Sequence, residues 1–402
     1  MTDPTTTSGT DRKREISETT AAESQDAAPD SPEQITSLSP VGQVAEHDPR
    51  PKPLLRRPAV WGKVGLFIVS LFLFMLAIVL MKEGAGTLTP IIQNNLSINN
   101  PWNSLGFGWL FAYIVMSGSP VAASALAFFD AGVISELNAY FMITGSRLGA
   151  SLIVLVIGFV YILRGRDRVS SLSMGLLSMF VTGTTYLVAL VIGVALLTSG
   201  VLDSFQIAPN NLFNSFINIV FDPILALVQA FMPGWLLFPA GLGVILVSFK
   251  LFDKCLPQMT LKESQVGQVS RLVYRPVVMF TLGAAVTLVS MSVSLSLGLL
   301  VPLSQRGFVR RENVIPYIMG ANITTFVDTL FASLLLDSPN GATIVLTGMI
   351  SITIVSLVLM TTVLRHYERT MLIWTAWATE TNRHSAILLF IALLIPLILV
   401  FL

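Results

Sequence analysis

Charged residues are kept out of long stretches of this chain. None occurs in Val64–Met81, Ser104–Phe129, Leu172–Leu202, Pro223–Phe249, Pro276–Gln305, Ser338–Leu364 or Ser385–Leu402. Two further windows, Phe141–Leu163 and Asn313–Leu336, hold one charge each, Arg147 and Asp328. A bilayer core is crossed by about 20 apolar residues, so most of these windows are long enough to span. Their apolarity is continuous instead of alternating, which selects helices over barrel strands. Only 12% of the 402 residues are charged, where a globular domain carries about 25%. The expected fold class is therefore an all-α, multi-pass integral membrane protein, placed in the plasma membrane with the lipid bilayer as its principal partner.

The same composition removes several functions. The net charge of +1 says nothing about partners, and no nucleic-acid partner is expected. One cysteine, Cys255, excludes an intrachain disulfide and any CxxC site, and the three histidines, His47, His366 and His384, lie in the N-terminal stretch or at membrane edges. No catalytic residues, cofactor or transition-metal site is expected, and the apolar windows hold no His, paired carboxylates or Cys nucleophile for an enzyme.

Residues 1–59 differ sharply from the rest. They are rich in Thr, Ser, Asp, Glu and Pro and have almost no aromatics, a composition that cannot bury enough surface to fold. They read as a solvated cytoplasmic tail, with residues 60–402 as the membrane domain. The basic collar Lys52, Arg56, Arg57 and Lys63 ahead of the first span holds the N-terminus in the cytoplasm.

Within the membrane domain, Met116–Ser151 aligns without a gap on Met291–Phe326 at an offset of 175 residues. Met116/Met291, Ser117/Ser292, Ser119/Ser294, Gly132/Gly307, Asn138/Asn313, Ile143/Ile318 and Gly145/Gly320 are identical, where chance gives about two or three matches. The shared positions are mostly small or hydroxylated, which suits close packing or ligand contact. This reads as an internal duplication, repeat 1 covering about 104–163 and repeat 2 about 276–336.

Ser117-Gly118-Ser119-Pro120 interrupts the first apolar stretch of repeat 1, so a re-entrant hairpin of two half-helices fits better than one straight span. The basic loops at Arg164–Arg168, Lys250–Arg275 and Arg306–Arg311 belong on the cytoplasmic side. The first hairpin then opens outward and the second inward, which makes the duplication an inverted-topology repeat. The Tyr367–Arg383 link, with Trp374 and Trp377, is expected along the interface.

Serine-lined half-helices near the midplane offer amides to anions and oxygens to Na⁺. Ser117, Ser119, Ser292 and Ser294 are therefore candidate ligands, against the alternative that each hydroxyl bonds back to its own helix. Gly320-Ala321-Asn322-Ile323-Thr324-Thr325, which begins 28 residues after Ser292, adds Asn322, Thr324 and Thr325 as oxygen ligands. Here the chain resembles the type II sodium–phosphate cotransporter family, which carries two inverted copies of a QSSS hairpin followed by a GxNIGTT unwound helix. Gly320-Ala321-Asn322-Ile323 matches that pattern. Departures are Met116 and Met291 at the Gln positions, Gly118 and Val293 at the middle serines, Thr324 and Phe326 within the second GxNIGTT, and Gly145-Ser146-Arg147 where the first copy has Gly-x-Asn.

The resemblance implies a secondary active transporter of inorganic phosphate or a similar small anion. Na⁺ would be the coupling ion, and a partly unwound transmembrane helix, opened at Gly145 and Gly320, would follow each hairpin. Loss of both Gln positions leaves an uncoupled channel, facilitator or sensor as the alternative. An isolated charge at membrane depth is costly and needs a partner. Arg147 and Asp328 are expected either to pair with each other across the two halves or to contact anion and cation separately.

Overall fold

The computed structural model describes residues 57–95, 100–163, 165, 168–203, 211–255, 275–293, 295–298, 300, 309–336 and 338–402. By internal contacts the chain divides into Met1–Leu54 and Leu55–Leu402. The first unit, and with it nearly all of the expected cytoplasmic tail, lies outside the described residues, as does Ser294.

Among the described residues every regular element is a helix. In chain order these are α1 (Arg57–Asn95), α2 (Pro101–Val115), α3 (Ser119–Asp130), α4 (Glu136–Leu163), α5 (Arg168–Ser199), α6 (Asn211–Phe231) and α7 (Gly234–Cys255). They are followed by α8 (Pro276–Ser290), α9 (Arg311–Thr324), α10 (Val327–Leu334), α11 (Asn340–Val358), α12 (Leu364–Glu380) and α13 (Asn382–Val400). Seven helical stretches are long and apolar enough to cross a bilayer: Trp61–Pro90, Glu136–Val160, Leu172–Ser199, Gly234–Cys255, Arg311–Leu334, Asn340–Glu380 and Asn382–Val400. The large apolar side chains that face outward from them, such as Ile68, Val191, Phe390 and Ile398, would be an aggregation hazard in water and are the expected lining toward lipid.

Two boundaries differ from the sequence expectation. Helix α1 does not end with its apolar window at Met81 but runs to Asn95; at 1.5 Å per residue its 39 residues extend about 58 Å, well beyond a bilayer core of about 30 Å. The apolar window that closes at Leu364 does not close a helix, because α11 passes through a π-helical turn at Leu359–Val363, with Val363 at φ −130°, directly into α12. Charges at Arg365–Arg369 do not end a helix; they only mark where it stops being apolar.

The pairs α2/α4 and α8/α9 share one construction. Both α2 and α8 are 15 residues long, start with a proline, and begin and end exactly 175 positions apart, at Pro101 and Pro276 and at Val115 and Ser290. Each is terminated by a methionine in the left-handed region, Met116 at φ 54° and Met291 at φ 49°. Among the described residues these are the only non-glycine residues with positive φ, a conformation that costs an L-residue about 1–2 kcal/mol.

In each pair the two helices pack through reciprocal glycines. A Cβ on Gly108 would run into the Met142 carbonyl, and one on Gly283 into the Tyr317 carbonyl; Gly145 meets the Leu105 carbonyl in the same way, and Gly320 that of Phe280. Every one of these four contacts maps onto its counterpart by adding 175. Close backbone approach over small residues is how helices associate where no water drives them together.

This corrects the role expected of Gly145 and Gly320. Neither unwinds its helix: Gly145 lies inside the continuous α4 and Gly320 inside the continuous α9. Their missing side chains make room for a neighbouring backbone. Helices α9 and α10 are separated only by Thr325 and Phe326, both still in the right-handed helical region, and α4 has no such interruption.

Candidate functional site

The turns after α2 and α8 come together at a cavity of about 670 Å³. Its wall includes Met116, Ser117, Gly118 and Ser119 from the first turn, Met291, Ser292 and Val293 from the second, Arg147 and Ala150 of α4, Thr325 after α9, and Phe249, Lys250 and Asp253 of α7. Two sequence segments that lie 175 positions apart thus wall one space.

Local sequence explains the first turn. Met116 takes the left-handed cap and its N–H bonds the Ala112 carbonyl; the Ser117 N–H bonds the same carbonyl at 3.3 Å. Pro120, which lacks an N–H, then sits at the start of α3, where none is needed. Gly118 lets the turn lie against α4, because a Cβ there would contact the Ser146 carbonyl and Ala150. Around the second turn, Leu295 N–H donates to Ser292 Oγ at 3.2 Å and Ser290 Oγ donates to the Ser292 carbonyl at 3.1 Å.

Arg147 is the chemical centre. It is 3% exposed, and its guanidinium reaches three elements. Nη1 donates to Ser119 Oγ at 3.4 Å and Thr325 Oγ1 at 3.3 Å; Nη2 donates to Asp328 Oδ1 at 3.4 Å and to Thr329 Oγ1. Asp328, 3% exposed, also accepts a 2.8 Å bond from Thr329 Oγ1. The guanidinium carbon lies 4.9 Å from the Phe326 ring centroid, within cation–π range. Arg147 Nε and Asp328 Oδ2 are buried without a hydrogen-bond partner. An optimal guanidinium–carboxylate contact is about 2.7–2.9 Å and often two-pronged; this one is longer and single, with a free atom on each side.

The other expected ligands are held elsewhere. The Asn322 side chain bonds Thr182 of α5, and its carbonyl accepts from the Tyr186 hydroxyl at 2.8 Å. Thr324 Oγ1 donates to the Ala284 carbonyl of α8 at 2.9 Å. Neither lines the cavity, so both act here as ties between helices. Ser117, Ser119, Ser292, Thr325 and Arg147 do line it.

Several residues of the site were not foreseen from the sequence. Thr329 and Phe326 complete the surroundings of Arg147, and their proximity to Asp328 in the chain was the available signal. Lys250 and Asp253 join from α7, which carries no repeat signature. Away from the cavity, Asp130 at the end of α3 pairs with Lys82 of α1 at 3.1 Å and accepts from Ser338 N–H at 2.7 Å, fixing α3 at that end. Among the described residues no three His, Cys, Asp or Glu side chains converge as a metal site.

No protein-family model, curated protein or solved structure matches the chain.

Proposed function

We propose that the protein is a secondary transporter of inorganic phosphate or a similar small anion. In this reading it is coupled to Na⁺ and works by alternating access between two inverted halves, each with a re-entrant hairpin. The observation that carries the reading is the cavity itself, with two serine turns from segments related by the 175-residue offset and a buried guanidinium in one wall. A guanidinium and hydroxyls in one cavity wall suit an anion, and the start of α3 at Gly118 and Ser119 adds to the attraction. The matched helix bounds, left-handed methionines and glycine contacts support an origin by duplication. Basic residues follow α7, and Lys250 lines the cavity, so the positive-inside rule assigns the opening to the cytoplasmic side.

Met116 and Met291, which wall the cavity where the resembled family has Gln, keep a second reading open, an uncoupled facilitator. Uptake of labelled phosphate, sulfate and organic anions into proteoliposomes, with and without an inward Na⁺ gradient, tests both. Accumulation above equilibrium that requires Na⁺ supports the transporter; equilibration alone supports the facilitator; no flux of any anion refutes both.

A further inference from the structure

A buried guanidinium beside a cavity usually belongs to a saturated ion pair, and this one is not saturated. Arg147 lines the 670 Å³ cavity, whereas Asp328 lines an adjoining, largely apolar space of about 160 Å³ that shares Phe249 and Met291 with it. The pair therefore stands as a partition between two spaces. Arg147 Nε and Asp328 Oδ2 are both buried without a partner, and it is Nη1 that meets the cavity-lining Ser119 and Thr325. Ser119 and Thr325 already turn their hydroxyl oxygens toward Nη1.

We infer that Arg147 is the oxyanion-binding residue of the cavity and that Asp328 is its resident counter-ion, which the incoming anion displaces. This rests on the proposed reading that the cavity takes a small anion, and it names the class: a tetrahedral or planar oxyanion in preference to a halide. A guanidinium presents paired N–H groups that match two oxygens of one anion, which a halide cannot use. Ser119 and Thr325 hydroxyls can donate to further oxygens, and the start of α3 at Gly118 and Ser119 brings its unpaired amides to the same wall.

The carboxylate and the anion compete for the guanidinium, which is the buried cation of the wall, Lys250 being exposed. Both cannot hold it in a low-dielectric site without leaving excess negative charge. Asp328 can yield because its one contact with the guanidinium is long, at 3.4 Å, and its Oδ2 has no partner to give up. Anion binding therefore loosens the contact between α4 and α10, a direct charge link between the two repeat segments.

The test uses the full-length protein in lipid nanodiscs, with inorganic phosphate, sulfate and chloride titrated by calorimetry and by the unfolding midpoint. Wild type is expected to bind phosphate or sulfate over chloride. Arg147→Gln is expected to weaken that binding tenfold or more. Asp328→Asn is expected to tighten it about tenfold, and its midpoint is expected to climb more steeply with phosphate than that of wild type.

If Arg147→Gln does not fold, Arg147→Gln with Asp328→Asn, which leaves no buried charge unpaired, must show the same loss. If Asp328→Asn folds only with phosphate or sulfate present, the inference stands; if chloride serves equally, it falls. Arg147→Gln that binds as wild type does, or Asp328→Asn that binds more weakly, overturns the inference and leaves the transport reading intact. Wild type that binds none of the oxyanions overturns both.

Discussion

Ala112, Val121 and Met142 in the first segment correspond, at the 175-residue offset, to Thr287, Ser296 and Tyr317 in the second. The second set forms a chain of hydroxyls, Thr287 to Ser296 at 2.8 Å and Ser296 to Tyr317 at 2.8 Å. The first set has no polar side-chain atom to make such a chain. The same contrast recurs at the cavity. Arg147 occupies the place of Asn322, and Asp328 the place of Ile153. So the two segments share helix bounds and glycine contacts while their side chains differ, with Arg147 in one and Asp328 in the other. A membrane-buried charge left alone is strongly unfavourable. Each half therefore needs the other, which a pair of identical halves would not.

The largest effects should come from what the halves share. Gly145→Leu and Gly320→Leu each force a side chain against a neighbouring backbone carbonyl, at a cost of about 3 kcal/mol or more. Both variants should lose folded, monodisperse protein in size-exclusion chromatography. If one half tolerated leucine, the equivalence of the two helix pairs would fail.

Next come the charges, where the halves differ. In the absence of oxyanion, Arg147→Gln or Asp328→Asn leaves one buried charge unpaired and should cost about 3–5 kcal/mol in the unfolding midpoint. The exchange Arg147→Asp with Asp328→Arg should recover most of that stability but not phosphate uptake, because the guanidinium no longer stands at the cavity wall. Recovery of uptake would contradict its position-specific role.

A smaller loss is expected from Tyr317→Phe, which removes the hydroxyl from the second half's chain and should cost about 1 kcal/mol, read as a modest fall in midpoint. Smallest of all, and opposite in sign, are Met116→Gly and Met291→Gly. Glycine accepts the left-handed cap without strain, so each should gain up to about 1 kcal/mol. Unequal gains would show that the two turns are strained differently.

Much of this organisation is legible in the sequence, and the parts that are not have physical reasons. Charge-free windows mark apolar helices because lipid tolerates few charges, and a lone Arg147 and a lone Asp328 advertise each other for the same cause. The offset of 175 finds the paired turns because Ser117/Ser292 and Met116/Met291 survive in both. Gly145 and Gly320 mislead, since glycine serves an unwound helix and a close helix crossing alike, and only coordinates distinguish a carbonyl pressed against the Cα from a broken ladder. The long helix through Leu359–Val363 was hidden because Arg365 and Arg369 look like a loop when lipid depth is the sole criterion. Asn322 and Thr324 carry ligand-type atoms, yet Thr182, Tyr186 and Ala284 claim them, and those partners lie 136 to 140 or 40 residues away.

The central claim is that two equivalent turns from opposite halves wall one anion-binding space. Thiol labelling tests it most directly, with Ser117→Cys and Ser292→Cys introduced singly and together on a Cys255→Ser background. Both thiols should react with a water-soluble maleimide, both should be protected by phosphate or sulfate but not by chloride, and the double variant should be bridged by a short bifunctional reagent. Protection of only one thiol, or the absence of any bridge in the double variant, would contradict the account.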